Sequence, residues 1–91
     1  MAKVSVSRAA LKDIREIGRY TQRHWGPDRR RAYLAGLDQK FSLLADNPEI
    51  SPERPEFDPP VRIQFHERHL IVYVREKDGI LVVRVLHGAW I

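Results

Sequence analysis

Residues 61–87 read VRIQFHERHLIVYVREKDGILVVRVLH, and the alternation inside this stretch decides the fold. Val61, Ile63 and Phe65 alternate with Arg62 and Gln64. Leu70, Val72 and Val74 alternate with Ile71, Tyr73 and Arg75, and Leu81, Val83 and Val85 with Val82, Arg84 and Leu86. Successive side chains of a strand point to opposite faces, so each run is a strand with one face set against the other. His66–His69 and Glu76–Gly79 separate the runs, and Asp78-Gly79 is a strong hairpin signal because such pairs accept the positive φ of tight turns. The stretch predicts a three-stranded antiparallel meander. Val61, Ile63, Phe65, Leu70, Val72, Val74, Leu81, Val83 and Val85 are expected to meet the rest of the chain as a core. The other face is expected to show Arg62, Gln64, Tyr73, Arg75 and Arg84 among Ile71, Val82 and Leu86, and exposed apolar groups in that number mark a contact surface.

Upstream lies NPEISPERPEFDPP, residues 47–60, which holds five of the six prolines. Proline fixes φ and removes an amide donor, so this segment reads as a stiff, extended loop. Before it, Leu34, Leu37, Phe41 and Leu44 recur at helical spacing in a helix expected from Pro27 to Asp46, closed by Asn47-Pro48. Gly26-Pro27 separates this helix from an earlier one whose stripe is Leu11, Ile14, Ile17, Thr21 and Trp25. Ser7 suits the N-cap of that first helix, and Val4 and Val6 in Lys3–Ser7 share one face of a short opening strand. The expected architecture is α+β in one domain spanning residues 1–91. Its order is β-α-α-β-β-β, with a helical hairpin packed on one face of a mainly antiparallel sheet.

The chain has 91 residues, 16 lysines and arginines against 12 acids, and a formal charge of +4. It has no cysteine, which excludes disulfides, thiolate nucleophiles and sulfur-based zinc sites. No apolar run is long enough for a membrane span and the first residues lack a signal-peptide core, so a cytoplasmic protein without membrane contact is expected. The positive balance favours an acidic protein or a nucleic acid as partner.

Arg62, Arg75 and Arg84 fall on three strands with the same nominal facing. Guanidinium forks hold phosphate or carboxylate in bidentate fashion, so together they form an anion cradle, or else cover apolar neighbours with their stems. His87 ends the last strand beside them, placed for acid–base chemistry near neutral pH or simply capping the core edge. Arg29, Arg30 and Arg31 crowd the positive end of the second helix, a local conflict of the kind that marks a partner surface. No set of side chains has metal-ligand spacing, and neither a metal nor another cofactor is expected.

The string from Ile80 to Gly88, an apolar strand closing on Arg84-Val-Leu-His87, resembles the end of the RelE/ParE toxin superfamily. The segment Ser7–Ile14 after a short strand, the Trp25-Gly26 turn, the Arg62 strand and the His69–Tyr73 strand match the rest in order. Within the superfamily the chain is more similar to ParE. That resemblance implies the toxin half of a type II toxin–antitoxin module, one that inhibits DNA gyrase and so replication, reaches nucleic acid only through its target, and forms a hetero-oligomer with a ParD-like antitoxin. It implies no catalytic residue of its own, a target-binding set of Arg62, Tyr73, Arg75, Arg84, His87 and Trp90, and an antitoxin-binding set of Ile71, Val82, Leu86, Arg29 and Arg30. The alternative is a RelE- or YoeB-like ribosome-dependent endoribonuclease using Glu56, Arg62, Arg84 and His87. The chain departs from that pattern: Gly88 stands where the terminal tyrosine is expected, and residues 47–60 contain no lysine.

Overall fold

The computed structural model describes residues 2–88. Strand β1 (Lys3–Val6) leads through Ser7 into helix α1 (Arg8–Trp25). The Ser7 hydroxyl accepts from the Ala10 amide at 3.0 Å and donates to the Val83 carbonyl at 2.7 Å. One side chain thus caps the helix and fastens its start to the last strand, a cap worth about 1 kcal/mol. Gly26, at φ 93°, ends α1 and opens α2 (Pro27–Asp46), a left-handed conformation that glycine adopts without a Cβ penalty.

The inward stripe of α1 lies on the expected face, with Ile14, Ile17 and Thr21 in or against the core, but its two ends are uncovered. Ala10, Ile17, Gly18 and Thr21 are buried, whereas Leu11 and Trp25 are exposed. At Gly18 a Cβ would meet the Arg30 and Leu34 side chains at 3.1 and 3.4 Å, so the bare backbone lets α2 approach closely. From α2, Leu37, Phe41, Leu44 and Ala45 are buried. Beyond it come a 3-10 turn (Pro48–Ile50) and a two-residue strand, β2 (Glu53–Arg54), within the segment expected to be loop alone.

Strands β3 (Val61–His66), β4 (His69–Glu76) and β5 (Gly79–His87) form the meander, and the five strands lie in the order β1-β5-β4-β3-β2. All pairings are antiparallel except β1 with β5, which matches Lys3 to Gly79 and Val6 to Val82 in parallel. Gly79 permits that pairing, since a Cβ would stand 1.8 Å from the Lys3 carbonyl oxygen. It is the first residue of β5, so the hairpin tip is Lys77-Asp78.

Apart from Val85, which is in the core as expected, the helices cover the opposite face of the sheet from the one expected. Ile71, Tyr73, Ile80, Val82 and Val85 are buried with Leu37, Phe41 and Leu44 in one core, joined at its margin by Val4 and Val6. Ile71 and Val82 are 0% exposed and are therefore core residues, not an antitoxin-binding surface; Tyr73, also 0% exposed, is not a target-binding surface. The other face carries Ile63, Phe65, Leu70, Val72, Val74, Leu81 and Leu86, with no helix over it among the described residues; Phe65 is exposed and the rest half-buried, except Leu70, which is buried. Of the antitoxin trio, Leu86 alone lies on this open face, paired in register with Leu70. A register shift at Val72/Tyr73 lets both Val82 and Val85 face the helices, with Val83 the extra residue between them.

Candidate functional site

Two separate sets of polar side chains take up the residues expected to form one cradle. On β3 and β4, Arg62 donates to the Ser51 carbonyl at 2.6 Å, the Tyr73 hydroxyl to the Pro48 carbonyl at 2.9 Å, and Arg75 to the Glu49 carboxylate. Gln64 adds an acceptor for the Ser51 hydroxyl at 2.5 Å. These four side chains tie down the Pro48–Ser51 segment, whose backbone carbonyls otherwise lack partners on leaving the helix. Arg62 and Arg75 are therefore anchors for a turn and do not converge with Arg84.

Arg84 is held elsewhere. Its Nε and Nη2 donate to the two carboxylate oxygens of Asp13 on α1 at 2.7 and 2.9 Å, and the Val85 amide donates to the same carboxylate at 2.9 Å. Burial pushes the Asp13 carboxyl up, but the Arg84 hydrogen bonds, the Val85 amide and the Arg84 charge together hold it below the ordinary carboxylate range. The Asp13 hydrogen bonds in turn raise the Arg84 guanidinium further above its usual value. β1 has already left the sheet at Val6, so Asp13 supplies the partner that the next free amide of β5 would have had.

Beside this bridge a cleft of about 740 Å³ opens between the second half of α1, the start of α2, the β3–β4 turn and the end of β5. Ile17, Thr21 and Val85 contribute to its lining, along with Tyr20, Trp25, Arg29, Arg68 and Arg84. At one end Tyr33 bonds to His69 Nδ1 at 2.5 Å and lies 3.3 Å from the His66 carbonyl, and the His69 ring meets His87 edge-on at 5.8 Å. Burial first, then repulsion from His87 and His66, lowers the His69 pKa, so its ring is neutral at pH 7 and accepts from the tyrosine. Burial and the nearby Glu67 raise the Tyr33 hydroxyl to about 12.

His87 and Arg84 thus share the cleft as the sequence suggests. Glu56 does not join them: it pairs with Arg54 at 2.9 Å at the β2 edge, and its own backbone amide followed by Arg54 lowers its pKa. Arg62 is paired in register with Tyr73 and, through it, with Val82, about 10 Å from β5 at the usual strand spacing. Of the four residues of the ribonuclease alternative, Glu56 and Arg62 are accordingly set apart from Arg84 and His87. Arg29 lines the cleft, while Arg30 donates to Gln22 at 2.7 Å. Trp90 lies outside the described residues. Tyr33, His69 and Asp13 were missed as members of the site. Asp13 did leave a signal, a carboxylate three residues after Ala10 and four before Ile17, on the inward side of α1. Among the described residues no group of three or more histidines and acids is placed to hold a metal ion, and no helix is long and apolar enough to cross a membrane.

The arrangement of a helical hairpin over one face of this mixed sheet is shared with a solved chain described as a chromosomal ParDE toxin–antitoxin system from P. aeruginosa. The two superpose with a TM-score of 0.79 over 96% of each chain, at 18% identity. A family model for the ParE toxin of the type II toxin–antitoxin system parDE matches residues 4–90. A curated Escherichia coli protein, Toxin ParE, is 33% identical over 88 residues, which cover 96% of this chain and 85% of that protein. The chain belongs to the ParE family of type II toxins.

Proposed function

We propose that this toxin inhibits DNA gyrase by binding, without chemistry of its own, and that a ParD-like antitoxin neutralises it in the cytoplasm by covering the open sheet face. The observation that supports the first half is the separation of Glu56 and Arg62 from Arg84 and His87. Phosphodiester cleavage needs a base, an acid and a cation around one phosphate, and here Glu56 and Arg62 are committed to Arg54 and Ser51, strands away from His87. Family membership supplies the toxin class, and with Glu56 and Arg62 held away from Arg84 and His87 the ribonuclease set is not brought together among the described residues; the reading is therefore action through occupancy of the target. Arg84 and His87, at the cleft, are the members of the target-binding set placed for that contact; Trp90 is the proposed extension.

The second half rests on the face carrying Phe65, Val72, Leu81 and Leu86. Phe65 is 62% exposed in a strand whose partners are apolar, and covering such a face gains roughly 25 cal/mol per Å² of apolar area before association costs. Arg29 and Arg30 belong to α2, on the other side of the sheet, so a tail on the open face leaves them to another role. The test is a plasmid supercoiling reaction with purified gyrase, run beside messenger RNA on programmed ribosomes. The expected result is loss of supercoiling that the antitoxin restores, with intact message. Codon-positioned cuts abolished by His87→Ala would replace this reading with the endoribonuclease.

A further inference from the structure

The net charge of this protein is matched by that of one short interval of its sequence. Residues 15–31 hold six arginines against Glu16 and Asp28, an excess equal to the +4 of the whole chain. Arg15, Arg19 and Arg23 repeat every four residues along one exposed stripe of α1, a spacing at which like charges destabilise a helix. Among the described residues none of these three, nor Arg29, is in an ion pair. Two large aromatic side chains stand in the same interval without cover: Tyr20 is 59% and Trp25 62% exposed. Tyr20 already stacks on His24, with ring centroids 4.0 Å apart.

Both aromatics line the cleft together with Arg29, Arg68 and Arg84. Asp13, Glu16 and Glu67 also line it, so three acids balance the three arginines there; Asp13 is paired with Arg84, while Arg29 and Arg68 are in no ion pair among the described residues. An acidic peptide would answer the arginines but leave the rings bare. Duplex DNA would answer the same charges but keeps its bases stacked inside, out of reach of a concave site. Unpaired nucleotides meet both demands, since every base has a π-face for Tyr20 or Trp25 and every linkage a charge for a guanidinium. At about 740 Å³ the cleft has room for a nucleotide unit.

We infer that the α1–α2 corner and its cleft bind single-stranded DNA directly, in place of the indirect contact expected from the sequence. The choice of DNA over RNA rests on the gyrase reading; the stacking site itself does not. Bases lie on Tyr20 and Trp25, and Arg29 and Arg68 hold phosphates at the cleft rim.

The test is fluorescence anisotropy of the antitoxin-free chain with labelled dT15, a 15-base-pair duplex and U15, at several salt concentrations. No gyrase is present, so failure here is distinguishable from failure of the gyrase reading. The expected result is that dT15 binds at least tenfold more tightly than the duplex and no less tightly than U15. Tyr20→Ala and Trp25→Ala should each weaken dT15 by roughly five- to a hundredfold. Arg29→Gln should flatten the slope of log affinity against log salt by about 0.7. All three positions are exposed, so an unchanged thermal midpoint verifies the fold of each variant. Equal binding of the duplex, tighter binding of U15, or aromatic variants that bind dT15 like the parent would overturn the inference, as would loss of antitoxin affinity in Arg29→Gln without any oligonucleotide binding.

Discussion

Asp13 accepts three hydrogen bonds, two from Arg84 and one from the Val85 amide, and its side chain is 11% exposed where that of Arg84 is 43%. The half-open guanidinium tempers the Coulomb gain, so Asp13→Asn should cost about 1–2 kcal/mol at pH 7, or about 5–10 °C in thermal midpoint. A carboxyl whose folded pKa is depressed contributes stability above its unfolded value of 3.8, and that contribution is lost as pH falls through the folded pKa. Parent and Asp13→Asn should therefore differ most near neutrality and converge in acid; a gap that stays constant down to pH 2 would contradict the bridge. His69 titrates in the opposite chemical sense but with the same sign of slope. Its folded pKa lies below 6.5, so the unfolded chain takes up protons first, and stability falls as pH drops below about 6.5. Melting curves between pH 7.5 and 5 should show this fall, reduced in His69→Gln, which keeps an acceptor for Tyr33 but does not titrate there. Of these residues the sequence offered His87 and Arg84 by their place at the end of an apolar strand. It did not offer Tyr33 or His69 as partners, because a hydrogen bond across 36 positions leaves no local pattern.

The strands show why alternation located elements but not their orientation. In β4 and β5 both alternate sets are apolar: Ile71 and Tyr73 against Leu70, Val72 and Val74, and Val82 against Leu81 and Val83. Only β3 is clearly two-sided, and its polar set, Arg62 and Gln64, turns toward the helix side because it anchors the Pro48–Ser51 segment beyond the helices' edge. Polarity at a sheet margin thus pointed to solvent when the residues were tying down a turn. The extra residue at Val83 added a second error, since a register shift is invisible to a strict period of two. The corrected face has a direct consequence. Phe65→Glu and Leu86→Glu should each abolish or strongly weaken the antitoxin complex in co-purification while leaving the thermal midpoint within a few degrees, because neither belongs to the helix-covered core. Binding as tight as the parent's in both would remove the open face as the antitoxin surface. Gly79→Ala should do the reverse, dislodging β1 from β5 and destabilising the fold through the clash at the Lys3 carbonyl.

At the scale of the whole molecule, element order, the helical hairpin and the antiparallel meander follow from local signals: helical spacing, the Gly26-Pro27 break and the proline-rich segment. The parallel docking of β1 on β5 does not, since it joins residues 76 positions apart. Among the described residues the result is a sheet with one face committed to the core, one apolar face with no helix over it, and a cleft lined by aromatic and charged side chains at the end of α1. That division suits a protein that is held by one partner and acts on another. The most direct measurement is of DNA cleavage trapped on gyrase: plasmid, gyrase, ATP and the antitoxin-free toxin, stopped with detergent and protease and resolved on a gel. The account predicts accumulation of linear plasmid that is lost when the antitoxin is added first, and reduced in a toxin truncated after Gly88. Plasmid supercoiled to completion with no linear product, at toxin in excess over gyrase, would contradict it.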